Sequence, residues 1–233
     1  MTTIRGRTLT DNIDNEKALK PLVPVLKLMD GLDAGNSDYH NEKDLLEHSL
    51  MVYEEMLEMN DSDTALLMAL SHDIGKIMTQ HKDTCAKHDL YGVDIIENIY
   101  DDQEVDREIV EALKIGCEQH IRIKHINGWQ GQAPMKESKV ISTAKYYHNR
   151  VDVDRLLQLI QADVKGRKPP QTVDHETIRS RLEKAGEVIE EVDRQYSLDK
   201  RDSTEDDYED KAIRGMVVQD RVELLKERQE VER

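Results

Sequence analysis

Nine histidines occur in the 233 residues, and eight of them lie between His40 and His148. Their places on helix faces say more than their number. In the apolar stretch around 64–74, His72 falls on the face of Ala65, Met68 and Ala69. Asp73 continues the face of Leu66, Ala69 and Leu70. His48 follows Leu45 by three residues and precedes Val52 by four; His120 comes three after Cys117 and seven after Leu113. Asp163 comes three after Ile160 and seven after Leu156, so a carboxylate sits on a core stripe. A buried carboxylate without a partner costs several kcal/mol or more. Coordination of a divalent cation offsets that, and imidazole with carboxylate suits Fe, Mn, Ni, Co or Zn.

Taken singly, each residue has a plainer reading. A His-Asp pair caps helices, a core histidine is satisfied by hydrogen bonds, and a carboxylate near a helix end pairs with a cation. The ordered set of His48, His72-Asp73, His88, His120 and Asp163, each on an expected helix, is what points to a metal. Lys165, Arg167 and Lys168 follow Asp163 and either extend a positive rim or sit at a helix C-terminus, where cations are favoured; the second reading is preferred. His81, His125 and His148 read as surface or structural residues, and His40 has no assigned role. Tyr91, Tyr146 and Tyr147 read as core aromatics, Met51, Met56, Met59 and Met68 as packing. Cys85 and Cys117, 32 residues apart and without a CxxC, read as small buried hydrophobes and not as ligands.

The elements that must position these groups are helical, because strand-like alternation is almost absent. Residues 15–30 hold Leu19, Leu22, Val25, Leu26 and Leu28, but Pro21 and Pro24 predict a helix that is broken or starts late. Residues 43–59 read as an amphipathic helix. The next, capped by Ser62 or Asp63, runs from Thr64 to about Ile74 and stops at Gly75. It is apolar nearly all round and should be the central, buried helix. Further helices fit His88–Ile99, Val105–His120, Glu137–Tyr147, Val153–Val164 and His175–Val192, with a tail helix at Lys211–Glu230. Asn127–Pro134 is a breaker-rich loop, and Thr204–Asp210 holds five acids in seven residues. The expected organisation is an all-α domain over 1–200, an acidic linker at 201–210 and a C-terminal helix within 211–233 that packs on or extends the domain.

Composition narrows the functional classes. With 33 Lys+Arg against 49 Asp+Glu the net charge is −16, which argues against a broad nucleic-acid-coating surface while allowing a local basic pocket. The longest purely apolar run, Ala65–Leu70, is far short of the roughly 20 residues a membrane helix needs. The amino-terminal residues lack a secretory pattern, and two cysteines cannot build a disulfide framework, so a cytoplasmic location is expected.

The ordered ligand set resembles that of the HD superfamily of metal-dependent phosphohydrolases, whose motif is a His, a later His-Asp pair and a distant Asp. The words from Tyr39 to Leu50, Ala69-Leu-Ser-His72-Asp-Ile-Gly-Lys76, Lys87-His-Asp-Leu-Tyr-Gly92, Glu118-Gln-His-Ile-Arg122 and Gln161-Ala-Asp-Val-Lys-Gly-Arg167 are similar to the HD portion of bacterial CCA-adding tRNA nucleotidyltransferases. So is the tail from Asp210 on, and the likeness covers about residues 18–230. The residues ahead of 18 are too few for a nucleotidyltransferase domain, so CCA addition is not expected.

The resemblance implies an HD-type helical bundle and hydrolysis of phosphate esters, including 2′,3′-cyclic phosphates and 2′-phosphates. It implies a divalent ion (Mn, Ni, Co, Fe or Mg) on His48, His72, Asp73 and Asp163. His88 and His120 either join a second ion, with Asp73 bridging the two, or act as acid/base or phosphate contacts; one ion and two ions stand equal. Lys76 and Arg122 are the expected cations on the phosphate. The expected partners are a phosphorylated small molecule, a nucleotide or an RNA end; self-association stays open. Other readings are a dNTP triphosphohydrolase or 5′-nucleotidase using the same site, and a non-catalytic module that binds RNA or a partner protein.

Overall fold

The computed structural model describes residues 1–35, 41–80, 87–129 and 131–202, with side chains as far as 196. The architecture is all-α apart from a two-stranded ribbon, β1 (Thr3–Ile4) with β2 (Arg7–Thr8), antiparallel with Thr3 opposite Thr8. The helices are α1 (Glu16–Leu28), α2 (Leu45–Leu57), α3 (Asp63–Ser71), α4 (His88–Tyr100), α5 (Arg107–Lys124), α6 (Glu137–Tyr147), α7 (Val153–Lys165) and α8 (His175–Asp202). The described residues form two compact units, 1–125 with 149–175, and 126–148 with those from 176 on. The His40, His81, Cys85 and tail-helix readings, and the linker reading from residue 203 on, lie outside the described residues.

In the first unit, α3 is the hub. Ala65 to Leu70 are all fully buried, as an all-round apolar helix requires. Ser62 caps α3 by accepting from the Ala65 amide at 3.4 Å, and Asp44 caps α2 by accepting from the Glu47 amide at 3.0 Å. α3 ends sooner than expected. It stops at Ser71, His72 and Asp73 follow, and a 3₁₀ segment runs over Ile74–Thr79. Gly75 is therefore no C-cap. A Cβ there would lie 1.8 Å from the His88 carbonyl oxygen and 2.5 Å from the Gly92 amide nitrogen, so the 3₁₀ segment can pack on α4 only through a glycine.

The expected break in α1 does not occur. Pro21 and Pro24 lie inside one continuous helix begun by Asn15, whose side chain accepts from the Ala18 amide. The carbonyls that lose their donors belong to Lys17 and Lys20, both exposed. Water can replace those bonds, while Leu19, Leu22, Val25 and Leu26 bury the opposite face. α5 also departs from expectation, running one turn past His120 to Lys124.

In the second unit, α6 has its expected bounds, and α8 continues to Asp202, past the expected Val192. Buried Ile178, Leu182, Ala185 and Ile189 mark one stripe of α8. Arg181 on α8 donates to the carbonyls of Ile126 and Met135 and to Glu137, fixing the loop ahead of α6.

Candidate metal centre

The first unit brings all six expected ligand residues together. His48 comes from the core face of α2, His72 and Asp73 from the end of α3, His88 from the first turn of α4, His120 from α5 and Asp163 from the last turns of α7. All are buried, none more than 6% exposed. They divide into two triads, His48–His72–Asp163 and Asp73–His88–His120, each with its donor atoms within 4.8 Å of one another.

Asp73 joins the triads, one oxygen to each. Its Oδ2 lies 3.3 Å from His72 Nε2 and 3.5 Å from His48 Nε2. Its Oδ1 lies 3.3 Å from His88 Nε2 and 3.4 Å from His120 Nε2. Asp163 Oδ1 closes the first triad, 3.4 Å from His48 Nε2 and 3.9 Å from His72 Nε2. Two donors about 2.1 Å from a shared ion at octahedral or tetrahedral angles stand about 3.0–3.4 Å apart. Four of the six spacings, at 3.3–3.4 Å, meet that requirement, and the two from Asp73 Oδ2 to His48 and from Asp163 Oδ1 to His72, at 3.5 and 3.9 Å, are wider.

The imidazoles are oriented for the same task. His72 Nδ1 is 2.9 Å from the Ala69 carbonyl and His120 Nδ1 is 2.8 Å from the Cys117 carbonyl. A ring that donates Nδ1–H to a carbonyl presents its Nε2 lone pair on the other side, the side of Asp73. His72 Nε2 and Asp73 Oδ1 are buried with no hydrogen-bond partner among the described residues. Glu42 Oε1 stands 3.5 Å from His48 Nδ1 and accepts from the Lys168 amide at 3.0 Å. Donor chemistry, spacing and these unfilled buried atoms all suit a divalent cation.

The electrostatics keep the two carboxylates ionised and His120 neutral. Burial pushes the Asp73 carboxyl up, but Lys76 and the neighbouring histidines outweigh it and hold it well below the usual range. Burial likewise opposes ionisation of Asp163, and Arg167 and Lys124 overcome it. Burial pulls His120 down to about 4 against the opposing pull of Asp73, so its ring is neutral at pH 7. Burial pulls His48 down, but Asp163 and Glu42, as carboxylate acceptors for its ring, outweigh it and raise its pKa.

The expected cations sort differently. Lys76 is buried at the site, with Nζ 2.7 Å from Asp73 Oδ2 and 2.7 Å from the Ala34 carbonyl. Arg122 is exposed. Two buried cations take up Asp163 instead: Lys124, to which the sequence assigns no role, and Arg167, for which a helix C-terminal position is the preferred reading. Lys124 donates to its Oδ2, and Arg167 to its Oδ1 through Nη2 at 3.1 Å. Lys165 is half-buried and Lys168 exposed, so only the middle cation of that group turns inward. Cys117 is buried as expected, its thiol donating to the Ser71 carbonyl at 3.2 Å.

The HD domain family model matches residues 45–150 of the chain. The match includes His48, His72, Asp73, His88 and His120, and the fold adds Asp163 from beyond it. Multifunctional CCA proteins of Neisseria meningitidis serogroups C, A and B are each 26% identical to the chain over 153 residues. That stretch is 64% of this chain and 36% of each relative, so the chain spans little more than a third of the curated relatives it matches. No solved structure matches it.

Proposed function

We propose that this chain is a divalent-metal-dependent phosphohydrolase acting on nucleotide or RNA-end phosphate esters, of the 2′,3′-cyclic phosphodiesterase or phosphatase type. One observation carries the reading: a single buried carboxylate, Asp73, gives one oxygen to each of two histidine-bearing triads. That geometry favours two ions over one, with His48, His72 and Asp163 on the first, His88 and His120 on the second, and Asp73 shared. The mixed nitrogen and oxygen donors suit Mn, Fe, Co or Ni. Ions held there would stabilise charge developing on the phosphoryl oxygens and lower the pKa of water toward neutrality.

The chain's own residues prepare that chemistry. Asp73 and Asp163 stay ionised through their buried cations, and His120 stays neutral and able to ligate. Lys76 ties Asp73 to the Ala34 carbonyl and so fixes the shared carboxylate. As a positioning residue it neutralises one charge without competing for the histidines. The likeness to multifunctional CCA proteins supports a nucleotide or RNA-end phosphate as substrate.

A panel of 2′,3′-cyclic nucleotides, 2′-phosphates and nucleoside mono-, di- and triphosphates, run with Mn, Ni, Co and Mg, tests the reading. Metal-dependent hydrolysis of the cyclic or monoester substrates is expected. Asp73→Ala should lower it by more than about 100-fold, beyond the loss typical of removing an outer-shell partner. Release of triphosphate from a dNTP would move the assignment to a triphosphohydrolase. Salt-sensitive RNA binding without turnover would move it to a binding module. Full activity in chelator-treated protein ends it.

A further inference from the structure

Among the described residues, the charges facing the centre balance before any ion binds. Glu42, Asp73 and Asp163 supply three negative charges, and Lys76, Lys124 and Arg167 three positive ones. Ligating imidazoles are neutral, so each divalent ion leaves two positive charges uncompensated in a buried site. Such a surplus calls for an anion.

The three cations differ in what they already hold. Lys76 has two protein acceptors, Asp73 Oδ2 and the Ala34 carbonyl. Arg167 grips Asp163 Oδ1 through both Nε, at 3.3 Å, and Nη2, at 3.1 Å. Lys124 is 4% exposed, and its ammonium carries three protons, yet among the described residues its one acceptor is Asp163 Oδ2. Among the described residues, two protons of this buried ammonium are thus left without a protein acceptor, which native interiors rarely tolerate. Lys124 stands one helical turn beyond His120, on the side of α5 that carries that ligand.

We propose that Lys124 is the anion anchor of the centre, donating to a non-bridging oxygen of the phosphate in a phosphate ester or in the orthophosphate product, while Arg167 keeps Asp163 in place. The assignment rests on the metal-dependent reading above, which supplies the ions behind the charge surplus. It adds a binding residue to that site and explains why Asp163 has two buried cations where one would neutralise it.

Inorganic phosphate is the probe. Wild-type and Lys124→Met proteins are loaded with manganese, their metal is counted by elemental analysis, and phosphate is titrated into each by calorimetry. The expected result is the same metal content in both and a phosphate dissociation constant at least tenfold weaker in the variant. Equal phosphate affinity overturns the proposal. So does metal loss in the variant, because Lys124 would then act only by holding Asp163. A wild type that retains no metal fails the underlying reading, and the proposal with it. If Lys124→Met does not fold, side-chain ammonium NMR of zinc-loaded wild type reads the same contact: phosphate should shift the Lys124 Nζ resonance, and an unmoved resonance overturns the assignment.

Discussion

Asp163 is fully buried, and both of its oxygens are occupied. Oδ1 receives Arg167 and faces His48, and Oδ2 receives Lys124. Asp163→Asn would leave two buried cations without their counter-charge. In metal-free protein that substitution should destabilise the fold by about 3–5 kcal/mol, the range for breaking a buried pair from one side. Urea unfolding measures it, and a change under about 1 kcal/mol would mean the cations find other partners. The six His and Asp positions are legible in the sequence because helical periodicity sets polar groups on apolar stripes. Lys124 is not, because the expected helix ends at His120 and leaves it off the stripe. Arg122 is exposed, since two residues from His120 is about 200° around a helix. Glu42 lies ahead of α2, where no periodicity places it. Arg167 is four residues from Asp163 but past the end of α7, where spacing no longer fixes direction.

Between elements, the approach of the 3₁₀ segment Ile74–Thr79 to α4 matters most for the site, because it sets Asp73 against His88. Gly75 is the contact point, and the nearest atoms are backbone atoms that cannot swing aside. Gly75→Ala should cost about 3 kcal/mol, the upper end for overpacking, and weaken metal binding by displacing His88. A lowered urea midpoint together with reduced metal retention is the expected pair of results. An unchanged midpoint would show that the segment can move without strain. The sequence makes Gly75 conspicuous but suggests the wrong cause, since a helix C-cap and a close backbone approach both select glycine. In α1 the error ran the other way: Pro21 and Pro24 signal a break, yet solvent-facing carbonyls absorb the lost bonds and the helix persists. Helix type is legible from periodicity, whereas helix ends are decided by tertiary contacts.

At the scale of the whole molecule, the net charge of −16 contrasts with the evenly matched charges at the centre. The acids in excess lie elsewhere, and the all-α reading holds in both units. No described helix is long and apolar enough to cross a membrane. What ties the first unit together chemically is the convergence of α2, α3, α4, α5 and α7 on Asp73 and Asp163. Bound cations should therefore stabilise the folded chain, because the assembled donor set exists only there. The most direct test is a metal count on chelator-stripped protein reloaded with manganese and freed of excess, for wild type and Asp73→Ala. Two ions per chain in the wild type, with a melting temperature raised over the stripped form and both effects absent in Asp73→Ala, is the predicted result. A wild type that retains no manganese, or an Asp73→Ala protein that retains as much as wild type, would contradict it.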